Sequence, residues 1–319
     1  MGSRAHRLRG DLAIGAEEGI SRGTMPREDT SLPACPDDGS RRQRVDPGRN
    51  ASRGTVVSTR KLNDEGRENW GGFELAIAGT THVGRIRTVN QDAFDRFDSP
   101  DGREILLVVA DGLGGHQGGE VASKMAIGTL GKLCWEGDGD PIERLSKAIE
   151  RANFEIHKLA ARDRTLKGMG TTIVALLLCE SGPSLIAHVG DSRIYRSRRG
   201  EFQALTEDHS VVSLLIKNGT ISREEAWDHP KRNQIMRALG VHEEVDLETA
   251  PVELEPGDTY LLCSDGLHGL LPDDDIAVLA ERAPDPHAGV AWMIDAANQA
   301  GGTDNVTAMM MQIHAAIDD

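Results

Sequence analysis

An α+β domain with a strand-rich core is predicted for the main part of this 319-residue chain by three observations. Apolar periodicity begins at Gly72 and continues to the C-terminus, with no Pro/Gly/Ser stretch long enough to divide it. Strand-like runs follow one another through only a few residues, as between Thr171 and Arg196, which favours antiparallel hairpins over helical crossovers. Helical patterns occur in separate batches and do not alternate with the strands. No internal repeat is visible.

In chain order, strands are predicted over 73–80, 104–110, 171–179, 184–189, 192–196, 247–254, 259–263 and 306–314, where short apolar runs are bounded by turn residues. The clearest helix has Ile142, Leu145, Ile149, Ala152, Ile156 and Leu159 at steps of three or four residues, which places them on one face. Further helices are predicted over 120–134, 274–281 and 286–299. Before Trp70 there is no aromatic residue and no sustained apolar period, so residues 1–70 are expected to be a disordered tail and 71–319 one catalytic-sized domain. The arginines at 41, 42, 44, 49 and 53 read as a solvated cluster or a docking segment.

Charge narrows the function. Residues 1–70 carry about +2 and residues 71–319 carry −17, a balance that repels phosphate backbones and anionic lipid and suits divalent cations. No nucleic-acid or membrane partner is therefore expected. No apolar run reaches the roughly 20 residues of a membrane span, and the N-terminus lacks a signal-peptide core, so a cytoplasmic protein is expected. His6 stands where a myristoylation signal requires Ser or Thr. Cys35, Cys134, Cys179 and Cys263 are far apart without a C-x-x-C pair, which excludes a zinc knuckle or dithiol motif.

The chemistry is carried by apolar strands that end in aspartate. Leu-Leu-Val-Val-Ala-Asp111-Gly112, Ile-Ala-His-Val-Gly-Asp191-Ser192 and Leu-Leu-Cys-Ser-Asp265-Gly266 share this pattern, and Asp304-Asn305 opens a strand in the mirrored sense. One such aspartate is an ordinary turn residue. Four of them, held where strands emerge, form an all-oxygen set that calls for a hard cation such as Mg²⁺ or Mn²⁺. Asp92 is a further candidate ligand in the run from Gly84 to Asp92, where Arg85 and Arg87 offer forked donors for phosphate. The Gly-rich stretch from Asp111 to Gly119 breaks the G-x-G-x-x-G register at Gln117, and its glycines allow close backbone approach to an ion. His116 is the one nearby side chain that titrates near neutrality. No G-x-S-x-G elbow supports a covalent mechanism.

The ordered set Arg87-x-x-Asn90-Gln91-Asp92, Asp111-Gly112-Leu-Gly-Gly-His116, Gly168-Met-Gly-Thr-Thr172, Gly190-Asp-Ser-Arg193, Leu205-Thr-Glu-Asp-His-Ser210, Arg237-Ala-Leu-Gly240, Ser264-Asp-Gly266 and Gly302-Thr-Asp-Asn305 resembles the bacterial branch of the protein phosphatase 2C family. These are metal-dependent serine/threonine phosphatases. The resemblance covers residues 75–315 and implies a four-layer α-β-β-α sandwich with two packed antiparallel sheets.

Carried over by motif, Asp111 bridges two Mn²⁺ or Mg²⁺ ions, Gly112 offers its backbone carbonyl, and Asp265 and Asp304 complete the ligands. Asp92 acts through bound water, and Asp191 holds a third, weaker ion with Asp265. Arg87 grips the phosphate and His116 is the general acid. Members often carry Glu where this chain has Gln91, which removes one charge and is expected to affect metal affinity more than reaction type. The segment 209–234 is implied to form a variable flap beside the site. The implied reaction is hydrolysis of phosphoserine and phosphothreonine on proteins by a metal-bridged hydroxide, with a bacterial Ser/Thr kinase and its substrates as partners and a monomer as the working form. A small-ester phosphatase and a catalytically weak pseudophosphatase acting as a binding module are the competing readings.

Overall fold

The computed structural model describes residues 66–315 except His116 and Asp138, so the tail reading for residues 1–65 lies outside the described residues. The strands in chain order are β1 (Glu68–Trp70), β2 (Phe73–His82), β3 (Ala93–Asp98), β4 (Glu104–Ala110), β5 (Gly112–Leu113), β6 (Gly170–Thr171) and β7 (Ile173–Cys179). They continue with β8 (Ser184–Val189), β9 (Arg193–Arg198), β10 (Glu201–Ala204), β11 (Glu248–Val252), β12 (Thr259–Cys263) and β13 (Val306–Ala315). The helices are α1 (Gly118–Leu133), α2 (Pro141–Arg162), α3 (Val211–Lys217), α4 (Arg223–Trp227), α5 (Asp265–His268), α6 (Asp273–Arg282) and α7 (Pro286–Gln299).

Alternation along the strands builds the layers. In β4, Ile105, Leu107 and Val109 enter the core between the sheets, while Leu106, Val108 and Ala110 enter the core shared with α1 and α2. Such a strand is buried on both faces, which is why it reads as a continuous apolar run. β13 repeats the logic, with Met309, Met311 and Ile313 between the sheets and Val306, Ala308 and Met310 against α6 and α7. One antiparallel sheet runs β1-β2-β13-β12-β9-β10, the other β11-β8-β7-β4-β3, and β5 and β6 form a separate ribbon. The four-layer α-β-β-α sandwich expected from the resemblance is the observed architecture. On α2, Asp140 caps the N-terminus by accepting from the Glu143 N–H and Pro141 opens the first turn, so the helix starts where its apolar face meets the sheet.

Four strands were not foreseen, one of them the two-residue β5 of the separate ribbon. β3 and β10 are edge strands whose charged residues mask their alternation. β1 lies on the tail side of the boundary drawn at residues 70 and 71, yet Trp70 is 3% exposed in the core between the sheets. β1 and β3 are edges of different sheets, and the Arg96 guanidinium of β3 is ion-paired with Glu68 of β1 and with Asp98. The Arg96 and Glu68 side chains are 3% and 2% exposed, so removing one charge leaves the other desolvated. Glu68→Ala is expected to lower stability by about 3 kcal/mol, read as a lower urea midpoint with an unchanged slope. An unchanged midpoint would show that Asp98 alone suffices for Arg96.

Candidate metal centre

The aspartates gather at one end of the sandwich because each stands where a strand begins or ends. Asp111 follows β4, Asp191 follows β8 by way of Gly190, Asp265 follows β12 by way of Ser264, and Asp92 and Asp304 precede β3 and β13. The backbone at Asp111 is pinned from both sides. Its N–H donates to Thr172 Oγ1 at 3.0 Å, and its carbonyl accepts from the Thr172 N–H at 2.8 Å and from Thr171 Oγ1 at 2.8 Å. Thr172 Oγ1 is also 2.7 Å from Ser192 Oγ, which couples the Asp111 strand end to the Asp191 turn. A Cβ on Gly112 would stand 2.1 Å from the Gly119 carbonyl and 2.5 Å from the Gln91 carbonyl, so only glycine fits where the chain passes this closely.

Asp92 is 6% exposed, and its Oδ2 accepts from Ser264 Oγ and from Thr307 Oγ1, each at 2.7 Å. Its Oδ1 is buried without a hydrogen-bond partner in the protein. A buried carboxylate oxygen with no donor is costly, and it is the atom a cation or its water would satisfy. Thr307 Oγ1 lies 2.7 Å from Thr81 Oγ1, which accepts from Asn90 Nδ2 at 2.8 Å. Asn305 ties down the loop before Asp92, accepting from the Gln91 N–H and donating to the carbonyls of Val83 and Val89.

Burial and mutual repulsion raise these acids. Desolvation, opposed by the Thr307 and Ser264 hydroxyls and assisted by the Asp265 and Asp304 charges, pushes Asp92 up to about 7. Desolvation, then Asp304, pushes Asp265 up to about 6. Asp111 is pushed well above the usual carboxylate range by burial and then by Asp92, Asp265 and Asp191, and it shares a hydrogen bond with Asp265. Asp191 is raised by burial and then by Asp265 and Asp208. Carboxylates that raise one another in this way share one basin. Their all-oxygen donor set and the orphaned Asp92 Oδ1 fit hard divalent cations.

At the exposed rim, Arg87 Nη2 donates to Asp304 Oδ2 at 2.7 Å. The sequence-predicted residues Arg87, Asp92, Asp111, Gly112, Asp191, Asp265 and Asp304 thus come to one end of the fold, linked by these contacts and fields. His116 lies outside the described residues. Gln91 holds the site through its backbone, its carbonyl accepting from the Gly112 N–H and from Ser123 Oγ. Sequence reasoning missed Ser264, Thr307, Thr172, Ser192 and Asn305. Thr307 carried a readable signal as a lone hydroxyl in the apolar run Val306 to Met311.

A tighter trio lies nearby. Among the described residues, His188, His209 and Glu248 are the one group of three whose ligand atoms all lie within 4.8 Å. The geometry does not suit a cation. His209 Nδ1 accepts from the Gly190 N–H at 3.1 Å, which in the neutral ring leaves the proton on Nε2, facing Glu248 Oε1 at 3.0 Å. Arg237 Nη1 lies 3.1 Å from that nitrogen and 2.8 Å from Glu248 Oε1, so a fixed positive charge already serves the carboxylate. The trio clamps the base of the 209–234 segment, and the wider aspartate basin is the candidate metal centre.

Two antiparallel sheets flanked by helices, with a carboxylate basin and an arginine at one end, define a metal-dependent phosphoester hydrolase. The sequence profile of the family described as Protein phosphatase 2C matches residues 78–303, and the chain belongs to that family. It is 40% identical to a serine/threonine phosphatase stp of Listeria innocua, over 73% of this chain and 93% of that protein. The solved structure of the Mycobacterium tuberculosis serine/threonine phosphatase PstP/Ppp is similar with a TM-score of 0.67 and 36% identity, covering 75% of this chain and 99% of that one. A structure of the PstP catalytic domain, solved in complex with 2 manganese ions, gives a TM-score of 0.65 at 36% identity, covering 75% of this chain and 98% of that one. No described helix is long and apolar enough to cross a membrane.

The raised acids predict a pH dependence. Asp92 and Asp265, at about 7 and about 6 in the fold against an ordinary 3.8, favour folding when protonated. That stability is fully present below the ordinary carboxylate value and is lost as pH rises through about 6 to 7. A cation that binds the ionised forms restores it. Saturating Mn²⁺ is therefore expected to raise Tm by about 5 °C more at about pH 7.5 than at about pH 5, measured by calorimetry. An equal shift at both values would place the bound ion away from these carboxylates.

Proposed function

We propose that the chain dephosphorylates phosphoserine and phosphothreonine on proteins, opposing a Ser/Thr kinase, with Asp111, Asp265, Asp304 and the Gly112 carbonyl holding two cations. Asp92, with its unpartnered Oδ1, would hold the water of that centre, and Asp191 with Asp265 would hold a third, weaker ion. The observation that carries this reading is the basin of buried and half-buried, mutually raised aspartates with Asp92 Oδ1 left unsatisfied beside an exposed arginine. Divalent cations bound there supply charge neutralisation for the phosphate and a nucleophile drawn from water at neutral pH.

The chain's own residues do the rest. Arg87, about half exposed at 51%, can exchange the Asp304 carboxylate for phosphate oxygens and orient the ester with its fork of donors. His116 would hold the proton that leaves with the serine or threonine oxygen. The hydroxyls of Ser264 and Thr307 keep Asp92 Oδ2 engaged, so Oδ1 alone is left without a partner in the protein. Thr171 and Thr172 fix the Asp111 backbone, and no protein nucleophile is needed. The relative whose name gives phosphatase activity on serine and threonine supports the substrate class. The set Arg87, Asp92, Asp111, Asp191, Asp265 and Asp304 is complete in the chain, which speaks against a binding module without turnover.

Phosphate release from a phosphothreonine peptide with Mn²⁺ tests the reading. Asp111→Asn and Asp265→Asn are each expected to reduce kcat by roughly 100-fold or more while the circular dichroism spectrum is retained. Wild-type turnover in either variant would remove that residue from the centre. Arg87→Ala is expected mainly to raise KM. His116→Gln is expected to lower kcat on the phosphothreonine peptide more than on p-nitrophenyl phosphate, whose leaving group departs without a proton. Equal losses on both substrates would exclude the acid role.

A further inference from the structure

The segment from His209 to Gln234 is ordered and rooted at the metal centre. The His209 N–H donates to the Gly190 carbonyl at 2.9 Å, next to Asp191, and the Met236 N–H donates to the His209 carbonyl at 2.7 Å. The Val211 N–H donates to the Gln234 carbonyl at 2.9 Å, so the outgoing and returning chains are paired above this root. Ser210 caps α3, and Ser222 with Glu225 forms a capping box on α4. The segment is therefore a fixed platform beside the carboxylate basin.

Its charge is opposite to that of the domain carrying it. Residues 209–234 hold Lys217, Arg223, Lys231 and Arg232 against Glu224, Glu225 and Asp228, a balance of about +1 inside a domain of −17. Near the site Arg193 is matched by Asp208, Arg87 by Asp304 and Arg237 by Glu248. Lys231 and Arg232 have no ion-pair partner among the described residues, and both side chains are exposed. With Asp228, His229 and Gln234 they line an open cavity of about 600 Å³. Arg232 Nη1 donates to the Trp227 carbonyl at 2.9 Å, which holds that guanidinium to the rim beside the exposed Trp227 side chain. At physiological salt, charge acts over roughly 8 Å, so an anionic segment here meets these cations and not the domain's net charge.

We propose that this cavity is a second recognition site for the phosphoprotein, in which Lys231 and Arg232 select acidic or additionally phosphorylated residues flanking the phosphoserine or phosphothreonine. The inference rests on the phosphatase reading above. Two paired-backbone steps and four residues of chain separate Gly190 from Arg232, a path of at most about 24 Å. An extended peptide advances about 3.3 Å per residue, so a span of that length corresponds to about seven residues of bound peptide.

Two phosphothreonine peptides of equal length test this, one with three glutamates placed in turn on either side of the phosphothreonine and one with glutamines in their place. The wild-type protein is expected to favour the acidic peptide by about three- to tenfold in kcat/KM on the productive side, as two exposed ion pairs allow. That preference should shrink as salt is raised. Lys231→Glu combined with Arg232→Gln should bring the ratio to one or invert it. Lys231→Glu alone, which spares the bond to the Trp227 carbonyl, should lower the ratio and guards against local misfolding. A peptide carrying a second phosphothreonine in place of the glutamates distinguishes phosphate from carboxylate recognition. Equal kcat/KM for both peptides in the wild type, or a preference that survives in both variants, would overturn the proposal while leaving the phosphatase reading intact. Failure to release phosphate from any peptide, with p-nitrophenyl phosphate still hydrolysed, would instead overturn the protein-substrate reading.

Discussion

Asp92 and Asp191, buried, and Asp111 and Asp265, half-buried, stand at the mouth of a strand sandwich close enough to raise one another's proton affinity, and most of the structure can be traced to that constraint. Ionised carboxylates repel when brought together out of water, and near neutral pH protonation relieves that repulsion only in part. The fold holds them there because each is anchored to a strand end whose own burial is strongly favourable. β4, β8 and β12 are apolar on both faces, and their register across the sheets leaves no freedom for the residue that follows. A site of high electrostatic energy is thus carried by core packing and discharged by whatever cation enters.

The hydroxyl network makes the strain selective. Ser264 and Thr307 donate to one oxygen of Asp92 and leave the other bare, while Thr171 and Thr172 bind the backbone of Asp111 and leave its carboxylate to the basin. The hydroxyls hold one oxygen of Asp92 and the backbone of Asp111, and none carries a charge that would neutralise either carboxylate. The histidine and arginine clamp at His188, His209, Glu248 and Arg237 works differently. There a fixed guanidinium meets the Glu248 carboxylate within the protein, and the cluster anchors the base of the platform beside the site.

The aspartates were legible in the sequence because an acidic residue directly after an apolar strand has a simple local signature, repeated in the chain. The sandwich was legible for the same reason, with 104–110, 184–189 and 259–263 matching the strands of the structure end to end. What could not be read depends on distant pairing. Ser264 and Thr307 reach Asp92 across 172 and 215 residues, and although Thr307 stands out as a lone hydroxyl in an apolar run, nothing local names Asp92 as its partner. β3 was hidden by Asp95, Arg96 and Asp98, whose charges make sense only once Glu68 of another sheet's edge is placed beside Arg96. β1 was hidden in turn because its three residues are held by Trp70 in the core and by that same ion pair. The platform helices α3 and α4, of 7 and 5 residues, are too short for periodicity to reveal.

The central claim is that cations enter a basin whose acids are partly protonated near neutrality, and proton release on metal binding reports this most directly. Calorimetric titration of the protein with Mn²⁺ at about pH 6.5, in two buffers of different ionisation enthalpy, gives the number of protons displaced. With Asp92 up at about 7 and Asp111 raised well above the usual carboxylate range by burial and its neighbouring acids, roughly one to two protons should leave per protein as the core site fills, and Asp92→Asn should reduce that number. Tight Mn²⁺ binding with no proton released, and no change in Asp92→Asn, would contradict the account.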